Sequence, residues 1–257
     1  MRILALLALA AAFALPAQAE KIRVGVTPGP HAQIMEKVRD QAKATGLEIE
    51  ILEFSDYVVP NEALASGDLD ANSFQHQPYL DNQIADRGYK LVSVGKTVTF
   101  PLGLFSAKLK SLDALPAKAK VAIPNDPTNG GRALILLAHQ GLIKLRDGAG
   151  LAATPLDITD NPKNLRIVEL DAAQLPRSLN DVDIAAINGN YALEAGLDPT
   201  KDALAREAAD GPYANVIAVK AADKDKPWVK ALVSAYQTPA IKQYIVETFK
   251  GAIVPAW

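Results

Sequence analysis

The sequence predicts an α/β protein of two lobes, with mainly parallel sheets and two crossovers of the chain between the lobes. Three observations predict it. Short β-type apolar runs alternate with helical runs from residue 22 onward. The alternation ends near residue 94 and restarts at residue 120. The stretches 99–106 and 209–215 fit neither series and lie where the chain would pass from one lobe to the other and back.

Each element follows from local pattern. Residues 22–26 form an apolar first strand, and the Thr27-Pro28-Gly29-Pro30 turn leads into a helix over 31–45. Ile34, Val38 and Ala42 recur at a spacing of four on its inner face, and Gly46 ends it. Residues 48–54 alternate as a second strand. A short helix spans 60–66, a strand 71–74, a helix 79–87 and a strand 91–94. The second series has a strand at 120–124, a helix over 132–145, a strand at 166–170, a helical stretch at 172–179, a strand at 184–187 and a helix starting at 191–195. A strand at 215–220 and helices at 228–236 and 239–249 complete the chain. The loops 147–162 and 220–226 read as surface. The pattern divides the chain into residues 1–19, a discontinuous first lobe of 20–102 plus 213–257, and a second lobe of 103–212.

Composition narrows function. The 257 residues carry 27 Lys and Arg against 29 Asp and Glu, so no basic excess suggests a nucleic-acid partner. Zero cysteines exclude a disulfide, a thiolate metal site, a cysteine nucleophile and a lipid-modified cysteine in this sequence. Residues 1–19 read as a secretory signal peptide: Arg2, an apolar run over 3–15, Pro16, then Ala17-Gln18-Ala19 before Glu20. That run is shorter than the roughly 20 residues needed to cross a bilayer, and no later run is long enough. The expectation is a periplasmic protein cleaved after Ala19, without a lipid anchor.

Three clusters are candidate binding elements. In Val121–Arg132, a strand runs into Asn125-Asp126-Pro127-Thr128-Asn129-Gly130-Gly131 and then a long apolar helix. Free N–H groups at that helix start offer an anion site. Arg132, read in the first helical turn, would be unfavourable there unless it meets an anion such as a carboxylate. The plain alternative is a surface arginine beside a capping loop. The second cluster is Phe74, His76 and Tyr79 at a strand-to-helix junction, with Tyr57 at a similar one. Aromatics are only 6% of the chain, and these would line an apolar slot, or else Phe74 and Tyr79 are simply core and His76 a cap. The third comprises Asn188 or Asn190, with Asn215, whose amides would offer a donor and an acceptor to a zwitterion. His139, inside an apolar run, reads as structural. No H-E-x-x-H or G-x-S-x-G element is present, and the first glycines read G-V-T-P-G-P-H, unlike a dinucleotide fingerprint. The reading is therefore a non-enzyme with no cofactor and no metal.

The stretches VTPGPHAQIM, EFSDYVVPNEALASGDLDANSFQHQPYL, DRGYKLVSVG, VAIPNDPTNGGRALILL, GLIKL and NPKNLRIVELDAAQLPRSL, with the final Trp257, resemble the MetQ/NlpA methionine-binding family of bacterial ABC importers. The resemblance spans 22–257. It implies a periplasmic-binding-protein fold that closes on a free amino acid, methionine and by expectation the L form. It also implies a membrane permease as partner, a separate ATPase acting indirectly, and a monomer. It assigns the ligand carboxylate to Arg132, the side-chain pocket to Tyr57, Phe74 and Tyr79, and further ligand contacts to His76, Asn188 and Asn215. The chain departs from the family in lacking the lipobox cysteine, and in the less typical segment 99–106 and Gly189-Asn190 pair. Another small apolar amino acid, or a surface adhesin with no ligand-closing cleft, are the alternatives.

Overall fold

The computed structural model describes residues 20–257, so the expected signal peptide lies outside the described residues. Two five-stranded sheets form the two lobes. Across the first, the order is Leu47–Glu53, Glu20–Val26, Ala71–His76, Asn215–Lys220 and Leu91–Lys96. Across the second, it is Arg166–Leu170, Lys120–Pro124, Ile184–Ile187, Gly103–Phe105 and Ala205–Arg206. The chain crosses between lobes twice, through 97–102 outbound and 207–214 on return.

The sheets are mixed rather than mainly parallel. In the first, Glu20–Val26 pairs in parallel with both neighbours, while Asn215–Lys220 is antiparallel to both of its own. In the second, Lys120–Pro124 has two parallel neighbours, and Gly103–Phe105 is antiparallel to both of its own. Parallel neighbours come from strand–helix–strand units, whose helix returns the chain to the starting edge. The two central antiparallel strands are the first strands laid down after a crossover, and they enter their sheets from the opposite end.

Both faces of each sheet are covered, as parallel strands require. On the first sheet, Ile34, Met35 and Val38 of helix Pro30–Ala42 pack with Trp228, Leu232, Ile241 and Ile245 from the two C-terminal helices. The opposite face holds Leu64, Leu69, Leu80 and Val216. In the second lobe, Ala133, Leu134 and Leu137 pack on Val121, Ile123 and Ile184. The final Val254–Pro255 strand pairs with Val98–Thr99, and Trp257 packs edge-on to Tyr236, so the C-terminus braces the outbound crossover.

The helix read over 132–145 is displaced: it spans Pro127–His139. Pro127 takes the first helical position, where its missing N–H costs nothing. Gly130 and Gly131 therefore lie inside the helix. A Cβ on Gly130 would sit 2.9 Å from the Pro124 carbonyl oxygen; one on Gly131 would sit 2.9 Å from the Ala153 nitrogen and closer still to the Leu151 carbonyl oxygen. Close backbone approach, not loop flexibility, explains the glycine pair. Gly131→Ala is expected to destabilise the protein by about 1–3 kcal/mol through overpacking against atoms that cannot rotate away. A thermal melt checks this; an unchanged Tm contradicts it. His139 ends this helix and is exposed, not a core residue.

Candidate ligand-binding site

The lobes meet around a narrow slot, with a free volume of about 20 Å³ among its side chains. The seven residues to which the resemblance assigns ligand contacts line it: Tyr57, Phe74, His76, Tyr79, Arg132, Asn188 and Asn215. Gln75, Phe100, Asn129 and Asn190 join them.

Strand Ala71–His76 supplies Phe74 to the aromatic wall, helix Gln77–Arg87 supplies Tyr79, and Tyr57 comes from the turn before helix Val59–Ser66. The strand is buried along its whole length despite Asn72, Ser73, Gln75 and His76. Its two amide side chains are held by an amide network: Asn61 donates to Gln75 Oε1 (2.7 Å), while Asn72 and Gln75 donate to Asn61 Oδ1 (2.9 and 2.7 Å). Buried amides satisfied in this way fix the strand and the side chains it carries. Tyr57 lies 5.9 Å from Phe74 and 6.0 Å from Tyr79, centroid to centroid, and Phe74 meets Tyr79 edge-on. Phe74 and Tyr79 are thus both buried and pocket-lining, so the two sequence alternatives are not exclusive. The Tyr79 hydroxyl donates to the Tyr57 carbonyl (2.9 Å). Burial pushes both tyrosines up, so both are neutral hydroxyls.

His76 caps the following helix: its Nδ1 accepts from the Tyr79 N–H (3.1 Å). That leaves Nε2–H to donate across the cleft to Asn129 Oδ1 (3.0 Å), which also accepts from Asn188 Nδ2 (2.8 Å). Asn129 Nδ2 is held by the Asp126 carboxylate, at 2.9 Å from Oδ2. Tyr57 donates across the cleft to Asn190 Oδ1 (2.6 Å), and Tyr191 donates to the Ser55 carbonyl (3.1 Å). Two amide ends remain: Asn188 Oδ1 and Asn190 Nδ2 are buried without a hydrogen-bond partner among the described residues. One is an acceptor and the other a donor, the pair a zwitterion needs. Asn215, at the start of its strand, donates to His31 Nε2 (3.3 Å), and His31 packs on Phe100 at 4.5 Å.

The anion reading of the Val121–Arg132 segment needs correction in two respects. The helix start is capped from within, because Asp126 accepts from the Asn129 N–H (2.9 Å). Arg132 lies in the second helical turn, and its Nε and Nη2 are held by Glu207. Nη2 also donates to the Phe100 carbonyl (2.8 Å), and Tyr213 packs 4.2 Å beneath the guanidinium. The Arg132 side chain is only 3% exposed, so it is not a surface arginine. Its internal hydrogen bonds use Nε and Nη2, which leaves Nη1 to meet a ligand.

Glu207, Phe100, Tyr213, Asn129 and His31 were not assigned site roles from the sequence. Asn129 lay within the motif; Phe100 lay in the segment noted as atypical. Gly189, also noted, packs there: a Cβ on it would sit 2.9 Å from the Pro101 carbonyl oxygen. Glu207 gave no local signal, being 75 residues from Arg132.

Burial pushes His31 and His76 down to about 3 from an ordinary 6.5, and the Arg132 charge adds to the effect at His76. Both are neutral in the folded protein. The unfolded chain takes up their protons below 6.5, so their contribution to stability is complete above that pH and is lost as pH falls from 6.5 toward 3. Each is expected to remove about 1.4 kcal/mol per pH unit well inside that window. Denaturant unfolding at pH 7, 6 and 5 should show the fall, and His76→Gln should reduce its slope. An unchanged slope in the variant contradicts this.

Comparison with known proteins identifies the family and the fold. A family model described as NlpA lipoprotein matches residues 22–257. The chain is 53% identical over 239 residues to the D-methionine-binding lipoprotein MetQ of Salmonella typhimurium, covering 92% of this chain and 88% of that protein. It is 51% identical to the protein of the same name from Escherichia coli, with the same coverage. Among solved structures, a nutrient binding protein from Burkholderia cenocepacia bound to methionine superposes with a TM-score of 0.90 at 58% identity, covering 92% of this chain and all of that one. A match running from the first strand to the last residue, on a fold of two α/β lobes, has one reading: the chain belongs to the NlpA lipoprotein family.

Proposed function

We propose that this protein is the periplasmic substrate-binding component of an ABC importer for methionine. It performs no chemistry: it captures the amino acid between its lobes and delivers it to a membrane permease. The observation that carries this reading is the conjunction in one slot of Arg132, the two unpartnered amide ends and the Tyr57–Phe74–Tyr79 wall. Arg132 Nη1 and Asn190 Nδ2 would hold the carboxylate, and Asn188 Oδ1 the ammonium, which supplies the pairing that buried charges need. The thioether would lie on the aromatic rings, a contact sulfur makes well. Arg132 is balanced by Glu207 and both buried histidines are neutral. A ligand with a charged side chain would therefore bring an uncompensated charge into the slot.

The relatives' names specify D-methionine; the L form is the enantiomer proposed for this chain, and the screen takes both. In a thermal-shift screen of the amino acids, methionine at about 100 times its Kd should raise Tm by roughly 5–10 °C. Stabilisation by an acidic or basic amino acid, with none by methionine, would overturn the assignment. We further propose lobes of 20–102 plus 213–257 and of 103–212, and a mature protein starting at Glu20 without an acyl group. Intact mass of the periplasmic form tests the latter, and an acyl increment would refute it.

A further inference from the structure

We infer that Glu207 is a positioning residue for carboxylate recognition, fixing the Arg132 guanidinium so that Nη1 faces the slot. The inference rests on the proposed contact between Arg132 and the ligand carboxylate. The guanidinium has five N–H donors. Nε and Nη2 are committed to Glu207 and the Phe100 carbonyl, which leaves the Nη1 donors. Glu207 is itself locked: its Oε1 accepts from the Leu102 N–H (3.0 Å), and its own N–H donates to the Leu102 carbonyl (3.0 Å). Leu102 ends the outbound crossover and Glu207 begins the return one. The carboxylate that orients Arg132 is therefore anchored where the two interlobe segments touch. Tyr213, on the return crossover, closes the lower face of the guanidinium at 4.2 Å. Arginine is a flexible side chain, and its order here comes from these contacts rather than from its own helix.

The arrangement has two consequences. The ligand meets one nitrogen of a pre-oriented guanidinium, not its Nε–Nη2 fork. The buried charge of Arg132 is also compensated before any ligand arrives, so the site need not attract anions in general.

The test is calorimetry on wild type and Glu207→Gln with two probes: methionine, and methioninol, which keeps the ammonium and thioether but has no carboxylate. The Gln variant retains an acceptor for the Leu102 N–H and loses the charge that holds Arg132. Methionine affinity should fall about 10- to 100-fold in E207Q, the range for losing a hydrogen bond to a charged group. Methioninol affinity should stay within about threefold, since its contacts do not involve Arg132. A purely structural role would weaken both probes alike, and that result overturns the inference, as does unchanged or tighter methionine binding in E207Q. If wild type itself fails to distinguish the two probes, the carboxylate reading of Arg132 fails instead. Should E207Q not fold, the wild-type Arg132 Nε–H signal in nitrogen-15 NMR carries the test. It should be protected from exchange both before and after methionine is added; protection that arises only on binding overturns the inference.

Discussion

Replacing Arg132 by alanine is expected to weaken methionine binding by roughly 30-fold to several thousand-fold. That is the consequence of losing about 2–5 kcal/mol when one partner of a buried, hydrogen-bonded charge pair is removed. Glu207, with 13% of its side chain exposed, would lose the guanidinium that its carboxylate meets. Stability should fall as well, by about 3–5 kcal/mol, because the partner of a buried ion pair is stranded. The double variant R132A/E207Q separates the two effects. It removes the stranded charge, so it should be more stable than R132A while still binding methionine far more weakly than wild type. Calorimetry and denaturant unfolding of the three proteins measure this. Wild-type affinity in R132A would show that the carboxylate is held elsewhere.

Phe74→Ala is expected to lower methionine affinity by about 10- to 100-fold and alanine affinity much less. Phe74 has 3% of its surface exposed and contributes a ring to the wall that would receive the thioether. Its loss removes a sulfur–aromatic contact of about 0.3–1.5 kcal/mol and apolar contact worth about 1–3 kcal/mol per displaced group. Truncating a buried phenylalanine also costs about 3–5 kcal/mol of stability, so binding is measured at a temperature where circular dichroism shows a folded variant. Equal losses for methionine and alanine would place Phe74 in the framework and not in side-chain recognition.

Three strands of the second lobe were legible in the sequence to the residue. Lys120–Pro124, Arg166–Leu170 and Ile184–Ile187 coincide with their apolar runs because turn residues flank each one. The helix after Lys120–Pro124 was misplaced because Gly130 and Gly131 are poor helix formers and read as loop. Their place in the helix is dictated by backbone 20 or so residues further on, at Leu151 and Ala153, which local propensity cannot register. Strands of two or three residues, such as Val98–Thr99, Gly103–Phe105 and Ala205–Arg206, carry no period to detect; they exist because distant partners recruit them.

The site divides in the same way. Arg132 and the aromatic wall stand in dense local motifs, where rare residue types meet at element junctions. Glu207 sits in an unremarkable Ala-rich loop, and only the return of the chain past Leu102 brings it to Arg132. The same is true of His31, whose contact with Asn215 spans 184 residues. The slot-lining residues of the dense motifs were readable from their chemistry; the residues that orient them were not, because orientation is a property of the folded arrangement.

The most direct measurement is a crystal structure of the protein grown with methionine. The account predicts the carboxylate at Arg132 Nη1 and Asn190 Nδ2, the ammonium at Asn188 Oδ1, and the sulfur against Tyr57, Phe74 and Tyr79. A methionine bound with its carboxylate away from Arg132, or seated instead in the wider depression of about 390 Å³ lined by Asp56, Asp171, Arg177 and Tyr191, would contradict it.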